Sequence, residues 1–266
     1  MKFPTSNIKN ENSLPMPLFG ILYSIGLGEH NSIHHYNTGS LFWSLARLFS
    51  SYERVMSAVH ISREYQLYLE DDIENFIIRF RIVLNDIAYV VRQVLPENQR
   101  GLSGPKGAVH PKNREVSFFK LKKYLAEQSE HFPEFTQVFS MTDSWTKKLR
   151  KDRDQVIHYK AKALVFDTEP LSFALINAAG NEKQTPTLEG GSRVVTTPVE
   201  IFVNDQLVAM YEFLDEQLSL AIRNYAERKN LKTQWIGNPS IQCIGINTFR
   251  RHNGISNPQV KQKNLE

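Results

Sequence analysis

Residues 71–95 read DDIENFIIRFRIVLNDIAYVVRQVL and carry the clearest helical pattern in the chain. Apolar side chains recur there at spacings of three and four, and they form the wide stripe typical of a helix in the middle of a bundle. Asp71 and Asp72 suit the positive N-terminal end of the helix dipole, and Pro96 ends the helix. The stripe consists of Ile73, Phe76, Ile77, Phe80, Val83, Leu84, Ile87, Val90, Val91 and Val94.

Further helical patterns lie on both sides of this stretch. Thr142 or Asp143 is a suitable N-cap for a helix that carries a basic segment. Thr197, Pro198 and Glu200 match a helix start, with a capping threonine, a proline at the first position and a capping box. The helical patterns cover residues 39–67, 116–128, 134–141, the segment after 142 or 143, and 198–229.

A small β insertion interrupts the helices at residues 163–197. Two short apolar runs, at 163–166 and 171–176, are followed by a segment rich in glycine and proline, which is typical of a hairpin. The sequence therefore predicts a mainly α fold: a helical bundle with a small β-hairpin insertion before the last long helix.

The two ends of the chain differ from this helical domain, which we assign to residues 38–229. Residues 1–37 are predicted to be an N-terminal arm and loop, because Gly26, Gly28, Asn31 and Asn37 argue against a regular helix. Residues 230–266 are broken by glycine and proline and are predicted to be an irregular C-terminal extension.

Composition limits the class of protein. The chain has 266 residues, of which 41% are hydrophobic, with a net charge of +4 and a pI of about 9.0. That charge permits a nucleic-acid partner and does not require one. Cys243 is the single cysteine, which excludes a disulfide or a cysteine-based zinc site within the chain. The polar N-terminus and the short apolar run at 14–28 predict no signal peptide and no membrane span, hence a cytoplasmic protein.

Two other segments are weaker candidates for a site. His30, His34 and His35 lie close together, but only Glu29 is near them as a further ligand, so we expect no metal there. Residues 96–115 form a long basic loop, which either closes over a nucleic-acid backbone or is a surface excursion.

The basic segment is WTKKLRKDRDQVIHYK, residues 145–160. Asp152 and Asp154 are its only acidic residues, so the helix concentrates positive charge. Cations of this kind contact phosphates, and the candidates for RNA binding are Lys147, Lys148, Arg150, Lys151 and Lys160.

Arg153, Asp154 and His158 are the candidate catalytic residues. Asp154 lies four residues before His158, so its carboxylate can reach and orient the imidazole. Arg153 lies five residues before His158, about 140° away around an ideal helix. An arginine binds phosphate through a planar fork, and a histidine transfers protons near neutral pH. The RNA 2′-hydroxyl is a nucleophile already next to the phosphate, so this chemistry needs no metal and no cofactor.

The run from Arg153 to His158 resembles the R-x4-H motif of the HEPN superfamily, which also has a polar residue after the arginine. The order of elements over residues 38–229 agrees, while the insertion at 163–197 and the C-terminal segment depart from a minimal HEPN module. The resemblance implies a helical bundle that forms homodimers. It also implies metal-independent RNase activity in a toxin–antitoxin or defence system, with an antitoxin or other regulatory protein as a further partner. By that resemblance Arg153 and His158 are catalytic, Asp154 supports them, and two copies of the motif meet at the dimer interface.

Three interpretations of the basic helix stay open. The first is an endoribonuclease acting as a homodimer. The second is a non-catalytic helical module that binds RNA or a partner protein. In the third, Arg153 and Asp154 form ordinary surface ion pairs and His158 is a cation at the C-terminal end of a helix.

Overall fold

The computed structural model describes residues 13–28, 32–60, 66–96, 117–158, 160–177, 196–234, 237 and 239–255. The predicted basic loop at 96–115 therefore lies almost wholly outside the described residues. Within them the fold is mainly α with a small β insertion, as predicted.

The elements follow one another in a simple order. The helices are α1 (Pro17–Gly28), α2 (Ser32–Ala58), α3 (Gln66–Val94), α4 (Phe118–Glu127), α5 (Pro133–Met141), α6 (Asp143–His158), α7 (Val199–Glu212), α8 (Ser219–Arg228) and α9 (Ile246–His252). The strands are β1 (Ser13–Pro15), β2 (Ala161–Phe166), β3 (Ser172–Asn177), β4 (Thr197–Pro198) and β5 (Ser240–Gln242).

Helix α3 is the centre of the fold, as its apolar stripe predicts. All ten residues of that stripe are buried. α3 packs against α2 and also contacts α4, α6, α8 and β2. Burial of this stripe from several sides is the main hydrophobic contribution to the fold.

The N-terminal segment corrects part of the prediction that residues 1–37 are an arm and loop. It contains α1 and the beginning of α2. A Cβ on Gly20 would lie 2.6 Å from the carbonyl oxygen of Gly237, so this glycine permits close approach of a second backbone. Glycines inside a helix cost about 1 kcal/mol each, but burial of Leu18, Phe19 and Leu22 outweighs that cost here.

The C-terminal segment corrects a second prediction, that of an irregular extension. β5 pairs antiparallel with β1, with Leu14 opposite Ile241. In α9, Phe249 is fully buried, with its ring centroid 5.4 Å from that of Phe49. The hydrophobic core thus reaches beyond the predicted helical domain at both ends.

The β insertion confirms the predicted hairpin. β2 and β3 are antiparallel, and β4 adds a short third strand to β3. The predicted capping box is wrong, because Thr197 and Pro198 belong to β4 and no side chain caps α7. Residues 178–195, which join β3 to β4, lie outside the described residues.

The last long helix is continuous over residues 199–228 but contains a π-helical turn, Phe213–Leu218. The extra residue in a π turn shifts the register of the helix faces, and periodicity alone did not predict it. Phe213 lies in this turn, and its ring centroid is 6.0 Å from that of Trp145 on α6. The turn therefore supports the helix that carries the basic segment.

Candidate active site

Helix α6 is anchored through its first two turns. Trp145 makes edge-to-face contacts with Phe80 and Phe213, at centroid distances of 5.8 and 6.0 Å. Leu149 is buried, and the Thr146 hydroxyl donates to the Thr142 carbonyl oxygen at 2.6 Å. This buried edge orients the opposite, polar face of α6 away from the core.

Arg153 and His158 contact each other within one chain. Arg153 Nη1 lies 3.0 Å from His158 Nε2. An angular separation of about 140° means that the two side chains do not stack directly on the helix. The long arginine side chain closes this gap, because it wraps around the last turn of α6.

Asp154 has a different partner from the one predicted. Its Oδ1 accepts a hydrogen bond from Arg153 Nη1 at 2.8 Å, and its Oδ2 lies 3.9 Å from Arg150 Nε. Among the described residues no bond joins Asp154 to His158. The carboxylate therefore orients the guanidinium of Arg153, which takes the position between it and the imidazole.

The contact with Arg153 assigns a tautomer to His158. A guanidinium has only N–H donors and no acceptor. His158 Nε2 must therefore be the acceptor, and the proton of the neutral ring lies on Nδ1. The side chain of Arg153 is only 25% exposed, while His158 is exposed, so a ligand can reach the imidazole from solvent.

The predicted RNA-binding cations have different surroundings. Arg150 lies beside the Arg153 pair. Lys147 pairs with Asp143 at 3.6 Å near the start of α6, and Lys148 lies over the Phe202 ring of α7 at 5.5 Å. Lys151 is exposed on the helix. Lys160 is exposed beyond the end of the helix, in a left-handed conformation (φ 52°).

Arg81 and Phe119, from two other helices, also lie at this site, and the sequence analysis did not predict them as site residues. The guanidinium carbon of Arg81, on α3, lies 4.8 Å from the ring centroid of Phe119 on α4, and that of Arg150 lies 4.9 Å from the same centroid. Burial first, and then repulsion by Arg153, lowers the pKa of Arg81 to about 10. The available signal was a charged residue between two apolar positions, Phe80 and Ile82, of the central helix.

No family model, curated protein or solved structure matches this chain. The likeness to HEPN proteins therefore rests on the motif from Arg153 to His158 and on the order of the helices.

The other candidate groups have simple surroundings. The His35 ring stacks on Tyr23 with a centroid distance of 5.8 Å, while His30 and the side chain of His34 lie outside the described residues. Burial raises the pKa of the Cys243 thiol to about 12. In the part of the chain that the structure describes, no group of three or more histidine, cysteine or acidic residues could hold a metal.

None of the described helices combines the length and the apolar character that crossing a membrane requires.

Proposed function

We propose that this protein is a metal-independent endoribonuclease of HEPN type that acts as a homodimer in the cytoplasm, as the toxin or effector of a defence system. The observation that carries the proposal is the 3.0 Å contact between Arg153 Nη1 and His158 Nε2, with Asp154 orienting the guanidinium. It brings a phosphate-binding cation and a proton-transfer group to one point, as RNA cleavage requires.

The reaction proposed is attack by the 2′-hydroxyl on the neighbouring phosphorus. The bond between the 2′-oxygen and phosphorus forms, and the bond between phosphorus and the 5′-oxygen breaks. The products are a 2′,3′-cyclic phosphate and a 5′-hydroxyl end. A base takes the proton of the 2′-hydroxyl, and an acid gives a proton to the departing 5′-oxygen.

Arrival of RNA exchanges the partners within this site. The phosphate is a stronger acceptor than a neutral imidazole, so it takes the Arg153 guanidinium. His158 Nε2 is then free to accept the proton of the 2′-hydroxyl. Arg153 also offsets the charge that develops on the phosphate oxygens in the transition state.

The two proton transfers are the reason to propose a dimer. They occur on opposite sides of the phosphorus, and one His158 performs one of them. A second copy of α6, brought to the same phosphate, supplies the other imidazole. Ile157 precedes His158 and is 42% exposed, which leaves apolar surface beside the site for that second copy to cover.

The test is incubation of the purified protein with RNA in EDTA. We expect wild-type protein to cut RNA, and Arg153→Ala and His158→Ala to lose at least about 100-fold in rate, the lower range for general acid–base groups. Matched controls are His131→Ala and Arg251→Ala, which replace exposed residues outside the cluster. Uncut RNA with all proteins, or equal rates for His158→Ala and wild type, contradicts the proposal.

A second candidate function is RNA binding without cleavage. Lys147 and Lys151 are exposed on α6, and backbone binding through such lysines does not need the Arg153 pair. In that case affinity falls with salt and with Lys147→Ala or Lys151→Ala, while His158→Ala binds as wild type does.

A further inference from the structure

Three guanidinium groups converge at one place in the molecule. Arg81 comes from α3, while Arg150 and Arg153 come from α6. The Phe119 ring lies within 5 Å of the guanidinium carbons of both Arg81 and Arg150. Of the acidic groups in the described residues, Asp154 is the one paired with this cluster, so the cluster keeps an excess of positive charge.

Two donors of the cluster are buried and have no hydrogen-bond partner among the described residues. They are Nη1 of Arg81 and Nε of Arg153. Buried donors are nearly always paired in folded proteins, because an unpaired one has lost its water without replacement. These two nitrogens suit an acceptor that the described residues do not supply.

Charge leads to the same expectation. The repulsion between Arg81 and the two arginines of α6 opposes folding, as does removal of Arg81 from water. Covering Phe119 does not by itself require a charge, because a neutral side chain of similar size would cover the ring without repulsion. An anion with several acceptor oxygens offsets both the repulsion among the arginines and the loss of water around Arg81.

We propose that Arg81 and Arg153 together bind one phosphate group of the RNA backbone, so that Arg81 is a second anion-binding residue of this site. The proposal rests on the proposed function and identifies how the substrate is held. Arg81 approaches from α3 and Arg153 from α6, so the phosphate bridges two helices. Two forks on one phosphate restrict its rotation, which positions the phosphorus for the attack near His158.

The experiment compares Arg81→Gln with Arg79→Gln in the full-length protein. Arg79 lies on the same helix and is also partly buried, but its charged neighbours are Arg54, Arg47 and Asp72 rather than residues of α6. Inorganic phosphate is the probe, and binding is followed by calorimetry and by thermal unfolding at constant ionic strength with chloride as the reference. RNA cleavage is measured on the same samples.

We expect phosphate to bind wild type and Arg79→Gln with equal affinity, and Arg81→Gln at least about tenfold more weakly, as loss of one charge-assisted bond predicts. Without phosphate, Arg81→Gln should unfold at the same temperature as wild type or higher, because the repulsion is gone. In cleavage, kcat/KM should fall at least as far as the affinity does.

Each other outcome has a definite meaning. Equal phosphate affinity of Arg81→Gln and wild type, or no saturable binding by wild type, overturns the proposal. So does an Arg81→Gln protein that fails to fold, because it shows that Arg81 serves stability. If RNA is never cut but phosphate binding depends on Arg81, the RNase function fails and the anion site stands. If wild type and Arg81→Gln cut RNA at equal rates, the RNase function stands and the role proposed for Arg81 is wrong.

Discussion

Arg153 is the residue of the site whose guanidinium contacts both other candidate catalytic residues. One of its nitrogens, Nη1, contacts both Asp154 and His158, at 2.8 and 3.0 Å. Its Nε is buried and has no partner among the described residues. Asp154 thus fixes the direction of Arg153, and the guanidinium keeps a further donor, which suits a group that binds a phosphate.

Asp154→Asn tests whether this orientation matters. The amide keeps the size of the side chain but accepts a weaker bond from the guanidinium, so we expect kcat/KM for RNA to fall about tenfold, equivalent to about 1.4 kcal/mol. Asp143→Asn is the matched control, since it weakens an ion pair with Lys122 at the other end of α6. A wild-type rate for Asp154→Asn contradicts the role given to this carboxylate.

Among the helices, packing against neighbouring segments decides which glycines are needed. Gly20 on α1 faces the backbone of Gly237. Among the described residues, a Cβ added to Gly39 on α2 would have only the Tyr23 hydroxyl as a neighbour, at 4.0 Å. Both glycines lie inside helices, where alanine has the higher intrinsic propensity. The same substitution therefore has opposite expected effects at the two positions.

We predict that Gly39→Ala raises the free energy of unfolding by about 0.5–1 kcal/mol, through helix propensity. Gly20→Ala should lower it by about 1–3 kcal/mol, because the new methyl group forces α1 away from the C-terminal segment. Chemical denaturation of the two variants beside wild type measures both effects. A stabilised Gly20→Ala would mean that α1 and residue 237 are not in close contact.

A second link between elements is ionic. Arg228 on α8 forms a paired hydrogen bond with Glu134 on α5, at 2.6 and 2.9 Å. The Arg228 guanidinium, as the largest cause, holds the pKa of Glu134 below its ordinary value. A carboxylate with a lowered pKa stabilises the folded state above its unfolded pKa, and this stability is lost as the pH falls through the folded pKa.

Glu134→Gln should therefore cost about 1 kcal/mol at pH 7, and the difference from wild type should shrink below pH 4.5, the ordinary pKa of glutamate. Urea unfolding of both proteins between pH 7 and pH 3 measures the difference. Glu127→Gln is the control, because its contact with Lys123 is exposed. A difference that does not change with pH contradicts the ion pair.

The molecule as a whole has one continuous core from β1 to α9. The two ends of the described chain meet in this core, since β1 pairs with β5, and α3 lies in its middle. The cluster around Arg153 lies at the surface of this body, where α3, α4 and α6 contribute side chains. A site at such a position can be completed by a second copy without any change of the core.

The dimer predicts interference between wild type and an inactive variant. An excess of His158→Ala over wild type should lower the RNase activity per wild-type chain, because a mixed dimer contains one His158 and the two proton transfers need two. Sedimentation velocity over a concentration range measures the association directly. A protein that cuts RNA as a monomer at every concentration contradicts the shared site.

The helices could be predicted because apolar periodicity is a local property of the sequence. The stripe on α3, the hairpin at β2 and β3, and the apolar edge of α6 all follow from residues close together in the chain. The motif from Arg153 to His158 was likewise readable. The contact between its two residues was not, because it depends on the rotamer of a long side chain.

The sequence by itself determined the mainly α class, the central helix and the candidate pair on α6. Only the tertiary structure decided that residues 17–28 are a helix, because the close approach of Gly20 to Gly237 joins segments far apart in the chain. Only the tertiary structure brought Arg81 and Phe119 beside Arg153. The physical reason is the same in both cases: burial and charge depend on which distant segments meet, and that is a property of the packed molecule.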